Sequence, residues 1–407
     1  MTTAGNQTGS EPRRTQIRQL TGVRAVAALW VLSFHFRPEI VQSWPALGIF
    51  APLMNVGHLG VDLFFVLSGY ILAVTHMDTI SKPWSMKSAL GFLWLRISRV
   101  WPAATFSLLI WAVYLAARAV AGSPDAAAGL NPARLLQHVL LIQAWSTDHH
   151  DWNPVDWSVS AEWMAYIFFA VTVSVFAGLA RNTKPLTRLG LAGLALIPIV
   201  AFGVSLQDGS DLLWNGEDLI PGAVALRVLT EFSAGVLLST ITSSLAQRRA
   251  AKLPLATIVL TLAVAALYLL ARFDYRPDYR FGKDWIINGT RLWGPSESAV
   301  IIPLLALLIL TLAACPRDPL ARWLSTRPLV WLGKVSFSIY LVHWLALDLL
   351  RRIVGVMGIP ATANLTYQVM TVTAVAAAIV AGWLLWRFVE EPSRRTLRQF
   401  LPADIRV

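Results

Sequence analysis

A single cysteine, Cys315, stands in 407 residues, which excludes an internal disulfide and any metal site built from several thiolates. Charge is scarce as well. Asp, Glu, Lys and Arg make up 14% of the chain, against roughly a quarter in a soluble protein. Acidic groups are the scarcer sign, 23 against 34 basic ones, for a net charge of +11. No internal repeat, heptad array or appended soluble domain is visible, and no cleavable leader precedes the first apolar run. Long hydrophobic runs take the place of charge: 56% of residues are hydrophobic, mean hydropathy is +0.57, and several runs reach the ~20 residues that cross a bilayer.

The expectation is an all-α, polytopic membrane protein with about ten transmembrane helices in a single bundle. The spans are read at 20–36, 56–77, 101–120, 155–180, 189–206, 223–245, 253–272, 295–315, 332–354 and 367–389. Segment 84–100 reads as an amphipathic surface helix leading into the third span. The net positive charge does not point to nucleic acid, because Lys and Arg fall in short clusters between spans. Arg13, Arg14 and Arg18, then Arg248, Arg249 and Lys252, then Arg394, Arg395 and Arg398 are examples. With both termini in the cytoplasm most basic residues lie inside, as the positive-inside rule requires. The division is then a cytoplasmic tail at 1–19, a transmembrane domain at 20–392 and a second cytoplasmic tail at 393–407. Eighteen Trp suit interfacial belts. Cys315, at a helix end, reads as an inert thiol.

Ionisable groups inside apolar spans are costly and mark sites by default. Arg24 and His35 lie in the first span, eleven residues apart, which on a helix is about three turns and roughly 16 Å along one face. An imidazole sheltered from bulk water is suited to take a proton from a hydroxyl. Snorkelling of Arg24 and a backbone bond from His35 would be the structural alternative. In the second span Gly60 and Gly69 permit close helix packing and Ser68 can bond across helices. Asp62 reads equally as an orienting carboxylate or as a helix N-terminal one. Arg96 and Arg99, three apart, share a helix face suited to phosphates or to membrane anchoring. Ser158 and Glu162 share a face of the fourth span, and Glu162 reads as a site residue or the buried partner of an arginine. Ser336, Tyr340 and His343 share a face of the ninth, where His343 reads first as a hydrogen-bonded structural histidine. His149 and His150, flanked by Asp148 and Asp151, are a weak metal signal.

Taken in order, these segments resemble the acyltransferase family 3 of integral membrane proteins. The match runs through Leu20-Thr21-Gly22-Val23-Arg24 and His35, then Gly60-Val61-Asp62-Leu63-Phe64-Phe65-Val66-Leu67-Ser68-Gly69-Tyr70, then Arg96-Ile97-Ser98-Arg99. Trp157-Ser158-Val159-Ser160-Ala161-Glu162, Ser336-Phe337-Ser338-Ile339-Tyr340-Leu341-Val342-His343 and Glu390-Glu391-Pro392 complete it. Thr21 stands where many members have Asp, and Phe337 where Tyr is frequent.

The resemblance implies transfer of an acyl group, often acetyl, from acyl-CoA to a hydroxyl of a cell-envelope polysaccharide, a glycolipid or a glycosylated metabolite. By that likeness His35 is the catalytic histidine and Arg24 its paired arginine, with Glu162 a further site residue. Arg96 and Arg99 would hold the CoA phosphates. Acyl-CoA is then a substrate, no cofactor is permanently bound, and no metal is required. The hydrolase-like domain of some members is not seen in the chain, so transfer is expected within the bundle of a multi-pass plasma-membrane protein. A proton-coupled secondary transporter is the alternative, since buried Arg, His and Glu also build proton relays. The internal symmetry common in transporters is not seen.

Overall fold

The computed structural model describes residues 17–145, 152–205, 223–247, 253–273 and 295–400. These residues are almost entirely helical, with no strand among them. Ten principal helices follow one another: α1 (Arg18–His35), α2 (Leu59–Ser81), α3 (Met86–Val120), α4 (Trp157–Asn182), α5 (Pro185–Ser205), α6 (Ala223–Ser239), α7 (Leu255–Phe273), α8 (Pro295–Ala314), α9 (Arg327–Val356) and α10 (Leu365–Leu385). Each expected span therefore coincides with a helix. Five of these helical segments, beginning at Leu59, Met86, Trp157, Arg327 and Leu365, are long and apolar enough to cross a membrane. The chain is a multi-pass membrane protein. His149, His150, the acidic loop around 207–218 and the basic loop 274–294 lie outside the described residues.

The third span departs from expectation. Segment 84–100 is not a separate surface helix but the first half of α3, a continuous helix of 35 residues. Ser85 and Ser88 form a capping box at its start, giving two otherwise orphaned backbone donors a partner. At ~1.5 Å per residue such a helix is about 52 Å long, well beyond a hydrocarbon core of ~30 Å. Its polar first half, with Lys87, Arg96 and Arg99, is thus continuous with an apolar half that crosses.

Burial grades the helices. The apolar window of α2 is 72% buried and that of α9 61%, against 28% for the segment that begins with α10. Helix α2 packs on α1, α4, α6 and α8, while α1 lies between α2 and α9, and α10 covers α9 from outside. The large apolar side chains of α4 and α10 that point away, such as Val171, Val175, Val369 and Val372, are exposed, as a lipid-facing surface requires.

Glycine sets several close helix contacts. A methyl group on Gly235 of α6 would overlap the Val66 carbonyl oxygen, and one on Gly69 of α2 would overlap that of Phe232. Across α1 and α9, a methyl on Gly333 would strike the Thr21 carbonyl oxygen. Without a hydrophobic drive between helices in lipid, such close backbone approach is a main source of packing energy.

Two local features position the site. Helix α1 stops at His35, where Phe36 leaves helical geometry (φ −87°, ψ 1°) and Pro38 removes a backbone donor. The short helix Arg37–Ser43 then turns back beside α9 and α10. At the start of α4, Asp156 does not cap the helix with its side chain. It accepts instead from His138 Nδ1 at 2.9 Å, tying the short helix Pro132–Leu140 to the base of α4.

Candidate active site

The expected residues separate into two cavities at different depths. The first, about 710 Å³ with its mouth included, is lined by Arg24 of α1, Ser68 of α2, Arg96 and Arg99 of α3, Ser158, Glu162 and Tyr166 of α4, and Tyr340 of α9. Phe64, Phe65, Leu67 and Val159 supply its apolar wall. Glu162 Oε1 accepts from Ser68 Oγ at 3.3 Å and from the Tyr166 hydroxyl. Arg96 is buried, and the Nε atoms of both Arg24 and Arg96 have no hydrogen-bond partner among the described residues. Three guanidiniums and one carboxylate thus line a partly apolar cleft, with a second carboxylate, Glu390, acting on Arg24 and Arg99 from outside the lining. Such a set suits a polyanion with an apolar arm, because guanidinium–phosphate bonds are charge-assisted and strongest out of bulk water.

The second cavity, about 1150 Å³ with its mouth included, opens at the other end of α1. Its lining includes Phe34, His35, Arg37, Glu39, Trp344 and Arg351. His35 Nδ1 lies 2.7 Å from His343 Nε2, and His343 Nδ1 lies 2.7 Å from the Tyr340 carbonyl oxygen. Direction follows from chemistry. A carbonyl only accepts, so His343 Nδ1 carries the proton; in the neutral ring its Nε2 is then an acceptor. His35 Nδ1 must donate to it, which leaves the lone pair on His35 Nε2. The indole of Trp344 meets the His35 ring edge-on at 4.7 Å and restrains its plane. The chain carbonyl–His343–His35 therefore fixes a neutral imidazole with its basic nitrogen free of this chain of bonds.

Between the cavities stands one turn of α9. The Tyr340 side chain lines the first cavity, donating its hydroxyl proton to the Val155 carbonyl at 2.8 Å and accepting from Ser158 Oγ at 2.8 Å. Its carbonyl holds His343, which in turn bonds His35 of the second. Arg24 and His35 do share a face of α1, but the ~16 Å between them places one in each cavity.

Three expected residues line neither cavity, His343 because it stands behind His35. Asp62 is buried between α2 and α6, taking Arg227 Nε at 2.6 Å, with Glu231 Oε1 3.4 Å from the same nitrogen. It lies in the first turn of α2, as a helix N-terminal carboxylate does, and it also sits in an ion cluster that has His58 in its field. Ser336 is buried and donates to the Gly333 carbonyl at 3.0 Å, beside the close α1–α9 contact. Sequence reasoning had missed Tyr166, Glu231 and Glu390. Tyr166 follows Glu162 by four residues, a spacing that signals one helix face. Glu390 was read only as part of a motif. It turns inward through the π turn Trp386–Glu390 to accept from Ser338 Oγ at 2.7 Å, and π turns cluster at functional sites.

A family model described as an acyltransferase domain matches residues 17–387. The chain belongs to acyltransferase family 3. Acyltransferase MdmB from Streptomyces mycarofaciens is 26% identical over 411 residues, covering 96% of this chain and 95% of that protein. Peptidoglycan O-acetyltransferase OatA from Listeria monocytogenes is 23% identical, over 94% of this chain and 56% of its own length. Putative peptidoglycan O-acetyltransferase YrhL from Bacillus subtilis is 26% identical, over 92% and 54%. The chain thus spans nearly all of the first relative and little more than half of the other two. No solved structure matches. Family membership makes the protein a membrane O-acyltransferase rather than the transporter that buried ionisable residues alone allow.

Proposed function

We propose that this acyltransferase moves an acyl group, acetyl in the first instance, from acyl-CoA to a hydroxyl of a sugar unit. The acceptor is a cell-envelope polysaccharide, a glycolipid or a glycosylated metabolite. The donor's phosphates rest on Arg96 and Arg99 in the Arg24 cavity, and its pantetheine arm runs along Phe64, Phe65 and Leu67 and on past Tyr340, which brings the thioester to His35. The acceptor enters the His35 cavity. All ten principal helices cross the plasma membrane, both termini lie in the cytoplasm, and the acyltransferase domain extends over 20–392 between two tails.

The observation that carries this reading is the fixed tautomer of His35 at an open cavity. Its Nε2 lone pair takes the acceptor hydroxyl proton as the oxygen attacks the thioester carbon. The new ester C–O bond forms, the C–S bond breaks, and the imidazolium returns the proton to the departing thiolate. Positive charge developing on His35 strengthens the Nδ1–H bond to His343, so that bond is worth more in the transition state than before it. Arg24, Arg96 and Arg99 offset the donor's negative charge, and Glu162, held by Ser68 and Tyr166, sets their spacing.

The test is thiol release from acetyl-CoA by the purified protein in lipid, with pooled cell-envelope extract as acceptor and wild type beside His35→Ala. Release that needs both extract and His35 supports the assignment. Full release by His35→Ala removes His35 from the chemistry.

A further inference from the structure

The His35 cavity holds charge for which the transfer step has no use. Glu39 lines it and is almost wholly buried, an expensive place for a carboxylate unless it is paired. Its Oε1 accepts from Arg351 Nε at 2.7 Å. The two partners are unequally placed: the Glu39 side chain is 5% exposed and that of Arg351 45%. Contrast the pair Asp78–Lys82, whose side chains are 82% and 53% exposed, an ordinary solvated contact. Here a buried acid grips an arginine by its Nε, and among the described residues Arg351 has no partner besides Glu39. The terminal nitrogens of its fork, which are the ones that pair two-to-two with an oxyanion, are left for something else. Arg37 lines the same cavity, buried against the Phe34 ring at 5.6 Å.

We propose that this cavity selects an acceptor that carries an oxyanion, a carboxylate or a phosphate, beside the hydroxyl to be acylated, and that Arg351 is the residue that recognises it. The inference rests on the reading of the His35 cavity as the acceptor site. Glu39 is the positioning residue: it removes the freedom of a long side chain before the ligand arrives, as preorganised sites do. Phe34 and Trp344 offer flat apolar walls for the face of a sugar ring. A neutral sugar would gain those walls alone, whereas an anionic one also meets the fork.

The experiment is titration calorimetry on the full chain in lipid nanodiscs with three probes of one shape: glucose, glucuronate and glucose 6-phosphate. At least one anionic probe should bind about tenfold or more tighter than glucose, the size of a charge-assisted bond. Arg351→Ala should abolish that preference while glucose binding stays as it was, and Arg351→Lys should keep part of it. Which anion wins tells carboxylate from phosphate. Should Arg351→Ala fail to fold because Glu39 is left unpaired, Glu39→Gln with Arg351→Met removes both charges together. Equal binding of all three probes, no binding of any, or a preference that survives loss of Arg351 each overturns the proposal. Thiol release from acetyl-CoA by wild type and His35→Ala is run alongside. Anion preference without His35-dependent release leaves the Arg351 site standing and removes the acyl-transfer reading; release without preference does the reverse.

Discussion

Replacing His343 by Ala tests the transfer chemistry without touching the residue that performs it. In the native protein His343 fixes which nitrogen of His35 carries the proton, through two bonds of 2.7 Å. Two losses follow from its removal. The neutral His35 ring becomes free to hold its proton on either nitrogen, so only part of the population presents a base to the acceptor. The bond that turns charge-assisted as His35 gains its proton is also lost, and such bonds contribute about 1.5–3 kcal/mol, roughly 10- to 150-fold in rate. Together the expected fall in kcat is about 10²- to 10³-fold, within the range for general-base catalysis as a whole. KM for acyl-CoA should be unchanged, because Arg24, Arg96 and Arg99 lie in the other cavity. Steady-state thiol release at saturating acetyl-CoA measures both constants. His343→Gln should recover part of the rate, since its side-chain carbonyl can accept from His35 Nδ1. A kcat for His343→Ala within threefold of wild type would refute the relay. So would a loss expressed wholly in KM.

Removing Arg96 and Arg99 together, by Ala, should raise KM for acyl-CoA about 10- to 100-fold with a smaller effect on kcat; an unchanged KM returns both to membrane anchoring. Gly235→Ala should destabilise the protein by about 1–3 kcal/mol, because its methyl meets the Val66 carbonyl and that backbone is held from both sides. A melting temperature equal to wild type in the same lipid would contradict the close α2–α6 contact. Arg227→Met should cost about 3–5 kcal/mol by leaving Asp62 and Glu231 buried without their cation. The triple change Arg227→Met, Asp62→Asn, Glu231→Gln should recover much of that stability, and failure to do so would show that the cluster is not held by charge.

What sequence could read here was whatever one helix decides by itself. Apolar run length located ten helices, because in lipid the backbone has to satisfy its own hydrogen bonds and the run must match the bilayer. Helical spacing also put Ser158 with Glu162, and Arg96 with Arg99, on shared faces that the first cavity uses. The surface helix at 84–100 went wrong at the boundary. Polarity changes near Val100, but the helix does not stop there, and Pro102 lies within it. Pairings between helices carry no local signal: Asp62 and Arg227 are 165 residues apart, and His35 and His343 are 308 apart.

The separation of Arg24 from His35 shows the limit most clearly. Spacing gives a common face and a distance, and both are right, yet a common face does not mean a common site when the distance along it exceeds the depth of one cavity. What divides them is Tyr340, whose hydroxyl is anchored to α4 and whose carbonyl anchors His343. On the proposed reading the same residue narrows the way by which the thioester reaches His35 and, through His343, orients that base. A wide continuous channel lined by this many charges would leak water and ions, so a constriction at Tyr340 suits a membrane protein. Shape at that turn of α9 therefore also bears on catalysis. Tyr340→Phe keeps the ring and the carbonyl but cuts the tie to Val155 and Ser158, so it should disturb transfer less than Tyr340→Ala, which opens the constriction. Equal thiol release by the two variants, with no added hydrolysis of acetyl-CoA in the absence of acceptor, would mean that the constriction lies elsewhere.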